Sequence, residues 1–151
     1  MMKAMVLEQT VKLVEEHNPL TLRELPDPAP EFGEVLLKVS VCGVCHTELD
    51  EIEGRTAPPD LPVVPGHQVV GHVQDRGVGA ARFQVGDRVG VAWIFSACGR
   101  CRYCRRGRYN LCSDMRHLGS ASVTPHVNGG LAAQLRVPAR VFCAKNQGAG
   151  G

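Results

Sequence analysis

The residues of this chain best suited to chemistry are its cysteines and histidines. Four of the seven cysteines lie between Cys98 and Cys112, ordered Cys98-x-x-Cys101-x-x-Cys104, then seven residues, then Cys112. A gap of two lets neighbouring thiolates turn towards one ion, and the longer gap lets the chain come round with a fourth. This spacing predicts a closed, tetrahedral Zn(Cys)4 site. An iron–sulfur cluster fits less well. Its bacterial pattern has a short third gap and a proline after the last cysteine, whereas Ser113 follows here. Disulfides or free buried thiols are the third reading. Arg100, Arg102, Arg105, Arg106 and Arg108 surround the cysteines and would offset the negative charge of four thiolates on Zn2+. As a nucleic-acid patch they are unconvincing. Basic character is confined to this loop, and only Tyr103 and Tyr109 could stack on bases.

Cys45 and His67 form a second candidate pair, on either side of a proline-rich segment. Cysteine with histidine is a borderline-soft donor set suited to Zn2+. Gly66 directly before His67 permits close backbone approach. Two donors do not make a site, and the residues alone fit equally well a core histidine and an unrelated buried thiol. Cys42-x-x-Cys45 has the spacing of a redox dithiol, but no βαβ context surrounds it.

The elements that must position these groups read mainly as strands. Met5–Gln9 is a short strand that Val11–Val14 is expected to pair with, and Leu20–Leu25 alternates apolar and polar. Pro26, Pro28 and Pro30 make a rigid extended connection. Glu34–Val41 is rich in β-formers and ends at a Cys42-Gly43 turn. Residues 45–54 read as a short acidic helix stopped by Gly54, with Thr47 and Asp50 as its capping box. Four prolines make residues 55–66 a loop. Gln68–Gln74 is a strand, and residues 82–92 read as a strand pair around a Gly86-Asp87 turn. Gly129-Gly130 opens a last alternating run, Leu131 to Val137, stopped by Pro138. Many short strands at close spacing point to a barrel or sandwich.

Bulk composition narrows the class. A chain of 151 residues, 44% hydrophobic, suits one domain with a real core, and a net charge of +2 implies no polyanionic partner. No apolar run approaches ~18 residues, so no membrane span is expected. The first residues are too soon charged for an export signal, and an odd cysteine count with metal-type spacing fits the reducing cytoplasm. The 17 glycines and 10 prolines are dispersed as turn punctuation. Gly77-Val78-Gly79 lies between strands and opens no helix, so it reads as a turn and not as a dinucleotide fingerprint.

Four segments occur in order: Gly43-Val44-Cys45-His46-Thr47-Glu48, Pro65-Gly66-His67-Gln68, Gly86-Asp87-Arg88-Val89 and the four-cysteine run. Together they resemble the zinc-dependent alcohol dehydrogenases of the medium-chain dehydrogenase/reductase family, over about residues 3–140. The resemblance implies a mainly β fold, a GroES-like, partly open β-barrel with a protruding structural-zinc lobe. It makes residues 1–140 the catalytic domain and residues 141–151 an atypical tail. It makes Cys45 and His67 ligands of a catalytic zinc, and Cys98, Cys101, Cys104 and Cys112 ligands of a structural one. That a Cys2His set serves alcohol dehydrogenase is a property of the family. Thr47 would bond the substrate oxygen and pass on its proton, Glu48 would orient His67, and His46 would contact cofactor phosphates. The implied activity is oxidation of a small alcohol to an aldehyde or ketone, through a zinc alkoxide that gives hydride to NAD or NADP.

Three departures from the family pattern carry expectations of their own. Glu48 stands for the usual Asp, and Gln68 for a common Glu, which removes a negative charge near the metal. The family's third ligand to catalytic zinc and its Rossmann domain lie beyond the last barrel strand, and these 151 residues are expected to contain neither. Residues 141–151 have the look of a truncated or frame-shifted end. Cys143 follows the strand too soon to match the third ligand and is at best a substitute. The chain alone is therefore expected to bind one zinc tightly and to show no NAD-linked turnover. The other reading is a stand-alone, non-catalytic zinc-binding module. Neither reading expects nucleic acid or membrane as partner, and full-length relatives are homo-oligomers. Cys42 matches no ligand position and is read as structural.

Overall fold

Glu34–Gly43 is the longest strand, and its composition explains its place. Val35, Leu36 and Leu37 are all buried, so apolar side chains are wanted on both of its faces. In chain order the elements are β1 (Met2–Leu7), β2 (Leu20–Leu25), β3 (Glu34–Gly43), α1 (His46–Ile52), β4 (Gln68–Arg76), β5 (Arg88–Val91), β6 (Ile94–Ser96), β7 (Arg116–His117), β8 (Gln134–Pro138) and β9 (Cys143–Lys145). The computed structural model describes residues 1–56, 58, 60–117, 129–139 and 143–145. The strands form a five-stranded sheet in the order β8-β3-β4-β5-β9 and two ribbons, β1-β2 and β6-β7; every strand pair is antiparallel. The architecture is mainly β, and among the described residues the sheets do not close on themselves.

One face of the large sheet carries the core. Val35, Leu37, Val69, Val73, Val89, Leu135 and Val137 pack there with Ala80 and a fully buried Phe83. Met2, Ala4 and Val6 alternate inward on β1 and meet Val64 and Ala132 in a second cluster.

Several local expectations change. The first strand begins at Met2 and pairs along its whole length with Leu20–Leu25, not with Val11–Val14. A six-residue ladder outcompetes a run whose Val14 is left exposed. Residues 82–92 are not a strand pair, since only Arg88–Val91 joins the sheet. Phe83 is instead an anchor in a turn closed by Gln84 N–H donating to Asp87 Oδ2 at 2.8 Å and Gly86 N–H donating to the Val73 carbonyl at 2.8 Å. The backbone of Cys143–Lys145 pairs with β5, as an edge strand. The Cys143 side chain and residues 118–128, where no expectation of chemistry fell, lie outside the described residues.

Candidate metal centres and active site

The β3–β4 ladder brings the first pair of donors together. Its last rung is Gly43↔Gln68, so Cys45, two residues past β3, and His67, one before β4, leave the sheet at the same edge. Cys45 Sγ lies 3.4 Å from His67 Nε2 although 22 residues separate them. Gly66 makes the approach possible. Its φ is +104°, and a Cβ there would stand 2.9 Å from Cys42 Sγ and 3.0 Å from the Leu131 amide. The strip before His67 is clamped by Leu131 N–H to the Pro65 carbonyl at 3.0 Å and Gly130 N–H to the Gly66 carbonyl at 2.9 Å.

Helix α1 supplies the group that aims these donors. Cys45 is its N-cap, in an extended conformation, and the Glu48 carboxylate reaches back so that Cys45 N–H donates to Oε2 at 2.7 Å. Thr47 and Asp50 are therefore not the capping pair, because Thr47 is already inside the helix. The Glu48 carboxylate also faces the His67 ring, with Oε1 2.8 Å from Nδ1. One buried carboxylate thus ties the backbone of one donor residue to the ring of the other. With the imidazole proton held at Nδ1, the Nε2 lone pair faces Cys45 Sγ. Tetrahedral zinc with ordinary Zn–S and Zn–N lengths needs sulfur and nitrogen about 3.6 Å apart, which the observed 3.4 Å meets. Cys45, Glu48 and His67 are also one of two residue groups whose donor atoms cluster closely enough for a cation among the described residues.

Thr47 and His46 follow Cys45 on the first turn and are exposed. His46 Nε2 stands 3.8 Å from Asp50 Oδ1, and Asp50 is held in turn by Arg55 Nε at 2.5 Å. Gln68 is exposed at the start of β4. Cys42 packs beside Gly66 and Gly130, and burial pushes its thiol up, consistent with a structural place.

The other cluster is Cys98, Cys101, Cys104 and Cys112. The β6-β7 ribbon closes the base of this lobe, and two short 3-10 turns, Cys104–Arg106 and Tyr109–Leu111, build it. All four thiols are unbridged. Cys98 Sγ and Cys104 Sγ are 3.9 Å apart, too far for a disulfide and close to the roughly 3.8 Å of two thiolates on one tetrahedral zinc. Backbone N–H groups face the sulfurs: Cys101 N–H to Cys98 Sγ at 3.3 Å, Cys104 N–H to Cys101 Sγ at 3.4 Å, and Cys98 N–H to Cys112 Sγ at 3.5 Å. The amides of Arg100 and Cys101 pull the Cys98 thiol down to about 6, while burial pushes Cys104 up to about 12. The amides facing its sulfur thus favour thiolate charge at Cys98. Of the five surrounding arginines, Arg102 lies over the Tyr103 ring, 4.6 Å from its centroid.

The family model of the alcohol dehydrogenase GroES-like domain matches residues 31–147. The chain belongs to the zinc-dependent alcohol dehydrogenases. It is 41% identical over 139 residues to an alcohol dehydrogenase of Geobacillus stearothermophilus, covering 91% of this chain and 38% of that one. Among solved structures it is similar to the cobalt- and zinc-bound thermostable alcohol dehydrogenase of Pyrobaculum aerophilum, with a TM-score of 0.82 and 27% identity over 97% of this chain and 42% of that one. It is also similar to a zinc-binding dehydrogenase of Sinorhizobium meliloti 1021 bound to NADP, with a TM-score of 0.76 and 31% identity over 96% and 38%. The chain thus spans about two fifths of the length of these family members.

One residue of this alcohol dehydrogenase domain escapes the sequence reading. Glu51 is buried on α1 with Glu48 and Ile52. Its signal was the spacing of those three positions on one helical face, overlooked because glutamate reads as a solvent residue.

Proposed function

We propose that residues 1–140 are the catalytic domain of a zinc-dependent alcohol dehydrogenase that oxidises a small alcohol to an aldehyde or ketone with NAD or NADP. The observation carrying this reading is the Cys45 Sγ–His67 Nε2 pair at 3.4 Å, aimed by the buried Glu48 carboxylate. A zinc ion held by Cys45 and His67 supplies the Lewis acidity that makes an alcohol hydroxyl a readier proton donor. Glu48 keeps the proton on Nδ1 and the ring in plane with its task. The Thr47 hydroxyl, two residues from Cys45, accepts the substrate's hydroxyl proton by hydrogen bond and hands it outward to solvent. His46, held at the solvent side near Asp50, meets the cofactor's diphosphate. A structural zinc on Cys98, Cys101, Cys104 and Cys112 fixes the lobe.

The NADP bound to the Sinorhizobium dehydrogenase supports a nicotinamide partner, which would bind mostly to the part of those relatives that this chain does not span. The domain would act in the cytoplasm, in a homo-oligomer, on a small alcohol or aldehyde, without nucleic acid or membrane. No helix among the described residues is long and apolar enough to cross a membrane. The 151-residue chain by itself is expected to give no NAD-linked turnover.

A chimera tests the reading. Residues 1–139 are joined to the remaining part of the Geobacillus enzyme, and alcohol-dependent NAD(P)H formation is followed. Turnover that disappears in Cys45→Ser and falls at least ~100-fold in Thr47→Val is expected. A folded, zinc-loaded chimera without turnover, or turnover indifferent to Cys45→Ser, would overturn it.

A further inference from the structure

Glu51 has no place in the chemistry above, yet its position is unusual. It is 2% exposed, and neither carboxylate oxygen has a hydrogen-bond partner among the described residues. It stands one helical turn beyond Glu48 on the same buried face of α1. Burial first, and the Glu48 carboxylate second, push it up to about 7. An unpaired buried acid costs stability, and a helix face of this kind is ordinarily apolar. Costs of this sort persist where function uses them.

We propose that Glu51 is a positioning residue of the Cys45–His67 site, a second buried carboxylate that acts through Glu48 to strengthen the hold of the site on a divalent cation. The inference rests on the metal-binding reading of Cys45 and His67. Its physical basis is charge in a poorly solvated place. Cys45 thiolate and Glu48 carboxylate together match a divalent ion, with His67 neutral. A further negative charge behind Glu48 makes the pocket a deeper well for the ion. It also presses the Glu48 carboxylate outward onto its two donors, the Cys45 amide and the His67 ring. With no cation bound, the same two carboxylates oppose each other and the fold is weakened. Affinity and stability are therefore coupled with opposite sign through one residue.

Glu51→Gln tests this, because it keeps size and burial and removes only the charge. The chain is first given one equivalent of zinc to fill the four-cysteine lobe. Cobalt is then titrated at about pH 8, where Glu51 is largely ionised, and its absorption bands are followed. Cys45→Ser identifies the bands that belong to the Cys45–His67 site. The expected result is cobalt affinity about tenfold weaker in Glu51→Gln, with a higher melting temperature of the metal-free chain, and affinity restored towards wild type in Glu51→Asp. Wild-type cobalt affinity in Glu51→Gln, or a lower melting temperature, would overturn the proposal while leaving the metal site in place. Absence of any cobalt band sensitive to Cys45→Ser would overturn the metal-site reading and this inference with it.

Discussion

Removing the Glu48 carboxylate is the most informative single perturbation of the site, since one group serves both the helix and the donors. In Glu48→Ala the Cys45 amide loses the acceptor now 2.7 Å away, which costs about 1 kcal/mol for an N-terminal cap. The buried His67 Nδ1 loses the oxygen at 2.8 Å, which costs about 1–3 kcal/mol for an unpaired buried polar group. The sum is about 3 kcal/mol, which lowers the melting temperature of a domain of this size by about 9 °C. Glu48→Gln keeps an acceptor for the Cys45 amide and loses the charge facing His67, so its stability loss is smaller, about 1 kcal/mol. Both substitutions weaken cobalt at the Cys45–His67 site by about 10–100-fold, because an unoriented imidazole is a poorer ligand. Thermal melts by circular dichroism and cobalt titration of the zinc-preloaded chain read the two effects separately. Glu48→Gln with unchanged cobalt affinity, or Glu48→Ala with an unchanged melt, would refute the dual role.

Three further outcomes are expected. Gly66→Ala forces a Cβ to 2.9 Å from Cys42 Sγ at a φ of +104°, so it should lose about 2–3 kcal/mol and displace His67, read as lower cobalt affinity alongside a lower melt. Cys104→Ser should release the lobe zinc and expose Arg100–Arg108 to trypsin while the β-sheet circular dichroism persists, because among the described residues the lobe rests on its β6-β7 base and holds none of the buried main core. Glu51, raised to about 7, binds its proton more tightly folded than unfolded, so its contribution is present below the ordinary carboxylate range and is lost as pH rises through about 7. Metal-free Glu51→Gln should therefore gain on wild type between about pH 5 and 8, by no more than about 3 kcal/mol and less with solvent screening. Urea melts at the two pH values that give the same difference would contradict it.

The candidate site is legible in the sequence to the extent that chemistry is local. Cys98-x-x-Cys101-x-x-Cys104 converges because gaps of two turn the chain back on itself, so that the Cys101 and Cys104 amides each face the sulfur three positions earlier. Cys45 and His67 are different. Neither residue type nor spacing says they meet, and only the rung Gly43↔Gln68 brings them to one edge. The strand runs of β3, β4 and β8 are visible because their inward positions are Val and Leu at a period of two. Strand partners are not visible, as the displacement of Val11–Val14 by Leu20–Leu25 shows, because pairing is decided by ladder length and burial across the molecule. Capping failed for a related reason. Cysteine is not an expected N-cap, so the Glu48 signal was read two residues too late, at Thr47.

X-ray absorption at the zinc edge tests the central claim of two metal centres, one closed and one open, most directly. With one equivalent of zinc the chain should show four sulfur neighbours at about 2.3 Å and no nitrogen, from the four-cysteine lobe. With a second equivalent the mean should fall to about 2.5 sulfurs per zinc, joined by imidazole scattering, as Cys45 and His67 take the added ion. Nitrogen or oxygen ligands in the first sample, or a second equivalent that stays free or binds without sulfur, would contradict the account.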